Sequence, residues 1–248
     1  MLRTAILVLF LNAPFSILAS TLANEVIWAV GHFPPYLILY GEEAGQGIYD
    51  GQLRQIKKQL TQFEHSQKEM NVARAWVDIA KGHNLCILLS LDNKNRRDFA
   101  HFSMPYGQRL PVQLVMRRDT FNKLNEPKQV SLKQILHNEG LTGLVQSSRS
   151  YSKEVDSMLA NSENLGLITS AASSTQLIKM LDKGRIDYFI EYEEVVDYYR
   201  KDLLSDIVFV KIEEVDALVI AYVACTKNAW GLSVIMGVND LIKRKVIK

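Results

Sequence analysis

The sequence predicts an α/β protein built from two small units, each a mainly parallel sheet flanked by helices. Strand-length apolar runs alternate with amphipathic helical stretches, and the alternation restarts after about residue 116. No repeat or low-complexity linker separates the halves. The 248 residues are 48% hydrophobic and 23% charged, enough core material for one large or two small domains. A net charge of +2, with no block of like charges, argues against a nucleic-acid surface.

Residues 26–30 form a short apolar run and read as a buried strand. Phe33-Pro34-Pro35-Tyr36 must then be an aromatic-bearing loop, because two prolines forbid a helix or a central strand. Asp50 is expected to cap a helix over 50–63, with Leu53, Ile56, Leu60 and Phe63 on one face. A second helix is expected over 69–81, stopped by Gly82. The nearly unbroken apolar run 85–91 reads as a strand covered on both faces, and 111–116 as another.

In the second half, Ser131 begins a short helix and 143–146 is a short strand. Ser150 or Ser152 opens a helix, and Ser173 or Ser174 caps the next, which Gly184 ends. A strand at 186–190, a helix at 193–203, strands at 207–212 and 217–225 and an amphipathic helix over 229–247 complete the chain.

The first 23 residues have the layout of a secretory leader: a basic start at Arg3, an apolar run over 5–11, Pro14, then small residues. Cleavage is expected after Ala19 or Ala23. Their apolar core is too short for a stable transmembrane helix, and no later segment is long and apolar enough to be one. The two cysteines, Cys86 and Cys225, are either a disulfide pair or two buried thiols in an exported protein.

Several motifs carry no chemistry. Gly45-Gln46-Gly47 followed by Gly51 misses dinucleotide spacing, so these glycines read as turn formers. The five histidines show no i,i+4 pairing and neither cysteine has a partner at metal spacing, so no metal and no cofactor is expected. There is no nucleophile elbow.

Five short motifs occur in a particular order. They are Phe33-Pro34-Pro35-Tyr36, Gly47-Ile48-Tyr49-Asp50, Lys81-Gly82-His83-Asn84, Arg96 followed by Phe102-Ser103-Met104-Pro105-Tyr106, and Leu181 followed by Gly184-Arg185-Ile186-Asp187. In this order they resemble the family 3 (polar amino acid type) periplasmic solute-binding proteins of ABC transporters. The resemblance covers nearly all the chain after the leader. It implies a two-domain Venus-flytrap of the type II periplasmic-binding fold, with domain 1 at 24–109 plus 214–248 and domain 2 at 110–213. It also implies a periplasmic monomer that closes over a small solute, feeds an inner-membrane ABC permease, and is neither an enzyme nor a nucleic-acid or membrane-inserted protein. Under that topology Cys86 and Cys225 lie on strands of one sheet, where a disulfide is feasible.

The implied ligand site draws on both domains. Phe33, with Tyr36 in the same loop, stands where an apolar wall lies under the ligand, or packs in the core. Arg96 stands where the family has its carboxylate-binding arginine, with Arg97 as the competing register; a guanidinium can grip a carboxylate through two parallel hydrogen bonds. Ser147, Ser148 and Arg149 lie at a strand-to-helix junction, where backbone N–H groups suit an anion or simply cap the helix. Ser90 is what remains of the serines before the arginine. Where the family's amino-acid binders place an Asp for the ligand's ammonium, this chain has Tyr192, flanked by Glu191 and Glu193. The α-amino acid clamp is therefore not intact, and the chain ends soon after Ile247, where the family continues for another helix. Two other classes fit the same resemblance. One is a dehydratase-like periplasmic enzyme using Glu191 or Glu193 as acid or base. The other is a stand-alone sensory or interaction domain that has lost amino-acid binding.

Overall fold

A computed structural model describes residues 24–147, 149–160, 167–200, 203–204, 206–215 and 217–248; the expected leader and Ser148 lie outside the described residues. The chain runs through β1 (Glu25–Val30), α1 (Ile48–Gln59), β2 (Glu64–Glu69), α2 (Val72–Ala80), β3 (Leu85–Ser90), β4 (Ala100–Phe102) and β5 (Gly107–Arg109). It then crosses to β6 (Gln113–Arg117), α3 (Arg118–Lys123), β7 (Gln129–Val130), α4 (Leu132–Leu136), β8 (Gly143–Gln146), α5 (Lys153–Ala160), β9 (Leu167–Ser170), α6 (Ser174–Asp182), β10 (Tyr188–Glu191), α7 (Glu193–Tyr199) and β11 (Ile207–Ile212). It returns through β12 (Val219–Thr226) and α8 (Ala229–Lys243).

The strands form two sheets, one lobe each: β2-β1-β3-β12-β4 with β5 on β12, and β7-β11-β6-β10-β8-β9. The sheets are mixed rather than mainly parallel. β12 is antiparallel to β3, β4 and β5, and β6 is antiparallel to β10 and β11. These strands adjoin the two crossings between lobes, and each runs against the neighbours it joins. Pro111, which lacks an N–H, falls in the first crossing, so that strand begins at Gln113 and not at residue 111.

Each element follows from its residues once neighbours are counted. β3 is buried on both faces, Leu85 to Leu88 lying between β1 and β12. α1 buries Leu53 and Ile56 on the face the periodicity marks. Its cap differs from expectation. Gly47 is the N-cap, and Asp50 sits three residues inside, where its Oδ2 accepts bonds from the Gly47 and Ile38 backbone N–H groups, each at 2.9 Å. A side chain at Gly47 would place its Cβ 2.5 Å from the Tyr36 carbonyl oxygen, so the glycine permits the close approach of helix and loop.

Where the sequence predicts helix from residue 69, residues 64–69 instead form edge strand β2, parallel to β1 along its whole length. Its EHSQKE sequence is polar and largely exposed, so backbone pairing and a few polar side-chain bonds, such as Ser66 Oγ to Glu25 at 2.6 Å, hold it in place of apolar packing. Asn71 then caps α2, its Oδ1 accepting from the Arg74 N–H at 2.8 Å. In the second lobe Ser173 and Gln176 form a reciprocal capping box at α6. Cys86 and Cys225 face each other across β3 and β12 and are joined by a disulfide.

His65 on β2 gives a pH prediction. Its Nδ1 accepts from Trp28 Nε1 at 3.2 Å and its Nε2 faces the Leu60 carbonyl at 3.0 Å, a pattern only the neutral ring satisfies. Burial lowers its pKa below the ordinary 6.5, the Leu60 carbonyl opposing and Lys57 adding to the fall. The unfolded chain therefore takes up the proton first. Stability from this site is full above about 6.5 and declines as pH falls below it. Thermal melts between pH 7.5 and 5 should show that decline, and His65→Gln should flatten it; an unchanged slope would remove His65 as a cause. His32, also lowered by burial, adds in the same direction.

Candidate functional site

Between the lobes lies a cavity of about 400 Å³, walled from the first lobe by residues including Phe33, Trp76, Ser90 and Arg96, and from the second by Ser147, Arg149 and Tyr192. A larger depression on the outer face of the second lobe, beside α6 with Lys179, Lys183 and Arg185, is shallower and draws on that lobe alone. The two-sided cavity is the candidate site because converging elements, not one surface, shape it.

Arg96 opens a short 3₁₀ turn after β3 and faces this cavity. Its guanidinium lies over the Trp76 ring at 4.2 Å and Nη1 donates to the Leu91 carbonyl at 3.2 Å. Burial pushes the guanidinium down to about 10, with Asp156 of the opposite lobe partly opposing. Arg97 faces solvent with its side chain 65% exposed, and forks onto Asp92.

Phe33 and Tyr192 stand in the wall. Ser90 also lines it, and Ser147 lines it with its backbone N–H spent on the Ser170 carbonyl. Tyr36 does not reach the cavity: it is buried behind the wall, among Phe33, Tyr49 and Tyr192.

Glu191 does not line the cavity either. Glu191 is fully buried and is gripped by Arg149, at 2.7 Å (Nη1–Oε2) and 2.5 Å (Nη2–Oε1). It also accepts from Ser174 Oγ at 2.6 Å and from the Tyr192 N–H at 2.9 Å. Burial works against the Arg149 charge, but Glu191 more than compensates and holds the guanidinium above its ordinary value. Arg149 lies against the rings of Phe33, Tyr151 and Tyr192. It lines the cavity, yet with its charge already answered. Glu193 accepts from Gln113 Nε2 at 2.9 Å and is not part of the wall.

No family model and no curated protein matches the chain. Solved structures do. Holo ArgBP from T. maritima is 16% identical with a TM-score of 0.69, over 93% of this chain and 94% of that one. An ancestral arginine-binding protein bound to arginine gives 14% and 0.70, over 90% and 92%. A putative L-cystine ABC transporter from Listeria monocytogenes gives 17% and 0.67, over 89% and 90%. The chain has the type II periplasmic-binding fold.

In a type II periplasmic-binding fold read from sequence, two wall residues go unnoticed. Trp76 shares a buried stretch of α2 with Ala75 and Ile79, and no local signal separates it from core. Arg109 ends β5 and lines the cavity; the available signal is a lone charge in the otherwise uncharged stretch 99–116. Among the described residues, no cluster of three His, Cys, Asp or Glu side chains could hold a metal, and no helix is long and apolar enough to cross a membrane.

Proposed function

We propose that this is an exported solute-binding protein that closes over a small carboxylate-bearing solute and passes it to an ABC permease. In this reading the leader at 1–23 directs it to the periplasm, and the two lobes, 24–109 plus 214–248 and 110–213, act as the closing halves. The observation that carries the reading is Arg96, a guanidinium kept at a cavity wall against the cost of its own burial. A carboxylate arriving there gains charge-assisted bonds to the guanidinium. The structural neighbours, which include arginine-binding proteins and the substrate-binding protein of an amino acid ABC transporter, support solute capture. Tyr192 at the position expected to hold an ammonium supports an acid in place of an ordinary α-amino acid. Glu191 and Glu193, the acid or base that the enzyme reading named, are both outside the wall.

The test is a thermal-shift panel of organic acids and amino acids, followed by calorimetry on the hits. Arg96→Ala should weaken a carboxylate hit by about thirtyfold or more. Arg96→Lys should not restore it fully, because an ammonium lacks the planar fork. Arg97→Ala should bind as the wild type does. Equal affinities for wild type and Arg96→Ala would reject the site.

A further inference from the structure

Arg109 is 7% exposed, yet it makes no ion pair among the described residues, and its Nε has no hydrogen-bond partner. Its guanidinium lies over the ring faces of Tyr192 at 4.5 Å and Tyr36 at 5.1 Å. It lines the same cavity as Arg96, at the point where the chain leaves the first lobe for the second. Arg149 is the internal comparison: its side chain is 11% exposed and it has Glu191 as counter-charge. A buried cation is ordinarily paired, because leaving it unpaired costs several times what a surface charge costs. Two ring faces supply part of that attraction but no acceptor oxygen for the N–H groups. The nearby Glu194 also has a buried oxygen without a partner and acts on Tyr36, but it does not bond Arg109 and is not in the wall.

We propose that Arg109 is a second anion-binding group of the cleft, so that the solute is a compact dicarboxylic acid. This rests on the reading of Arg96 as the first carboxylate site. The two arginines take the two ends, and the apolar wall of Phe33, Leu37, Ile87 and Leu89 takes the chain between them. The carboxylate expected beside a ligand ammonium, Glu191, is consumed by Arg149, and Glu69, the carboxylate that does line the cavity, is hydrogen-bonded with Tyr40. Selectivity then comes from the cost of leaving Arg109 buried and unanswered when a solute offers one anionic end only.

Calorimetry on the full-length mature protein, with straight-chain dicarboxylates from succinate to suberate and their monocarboxylate counterparts, tests this. The best dicarboxylate should bind about tenfold or more tighter than its monocarboxylate counterpart. Arg109→Met should abolish that advantage, weakening the dicarboxylate by about tenfold or more beyond its effect on the monocarboxylate, and should leave the melting temperature of the unliganded protein equal or higher, as expected when a buried charge is replaced by an apolar chain. Arg109→Lys should keep part of the advantage. A wild-type protein that binds monocarboxylates through Arg96 with no dicarboxylate advantage overturns the role of Arg109 alone. So does an advantage that survives Arg109→Met, and so does a preference for zwitterionic amino acids. A lower melting temperature in Arg109→Met that Glu194→Gln restores assigns Arg109 to fold electrostatics and also overturns it. Absence of binding by any carboxylate overturns the Arg96 reading as well.

Discussion

Glu191→Gln should destabilise the protein by about 3–5 kcal/mol, because it leaves Arg149 as an unanswered charge in the interior. For a chain of this size that is a loss of roughly 6–20 °C in melting temperature. The amide keeps the shape and one acceptor, but it no longer neutralises the guanidinium that touches both carboxylate oxygens. It must also replace an acceptor for Ser174 and for the Tyr192 backbone N–H. The pair ties the loop after β8 to the end of β10, and three aromatic rings cover the guanidinium. Arg149→Met in the Glu191→Gln background should recover part of the loss, since it removes the stranded charge. A double-mutant cycle measured by denaturant unfolding checks both statements. Additive effects of the two changes, or a Glu191→Gln protein as stable as the wild type, would show that the pair is not coupled.

Replacing Cys86 and Cys225 by Ala together should cost about 2–5 kcal/mol, by releasing a constraint across 139 residues of sequence. Both cysteines are completely buried, so alanine avoids introducing an unpaired hydroxyl. The same burial should shield the native bond from added thiol, so that reduction proceeds only as the protein unfolds. Denaturant midpoints for wild type, wild type with dithiothreitol and the double alanine variant give the comparison. The latter two should coincide. Coincidence of all three with the oxidised wild type would rule out a stabilising role for the disulfide.

Much of the fold was legible because its strongest elements state themselves locally. The β3 run is apolar throughout because both faces are covered, and the periodicity of α1 marks Leu53 and Ile56, which are buried. β2 was illegible because an edge strand pairs through backbone groups and needs no apolar residue. The short strands β4 and β5 exist through β12, more than a hundred residues later, and carry no local signature. In the site, Arg96 could be placed by its distance from Phe102 to Tyr106. The bond between Arg149 and Glu191 spans 42 positions, and nothing local announces that each has the other as partner. Arg109 went unread for a related reason: what singles it out is its surroundings, two aromatic rings and no carboxylate, and these come from distant parts of the chain.

The place of β12 within its sheet, between β3 and β4, also orders the events of biosynthesis. Every strand of the second lobe emerges between Gln113 and Ile212, so that lobe has its whole sheet before β12 is synthesised. The first lobe does not: β3 and β4 are made early and must wait, unjoined, for Val219–Thr226. Even with the whole chain present, as in refolding, the long separation of β3 and β4 from β12 should make the flanking lobe the slower to acquire protection in pulse-labelled hydrogen exchange and the inserted lobe the earlier. The wait is chemically forgiving. With two cysteines in the sequence, a chain that oxidises within itself can make one bond only, the native one, and any error must involve another molecule.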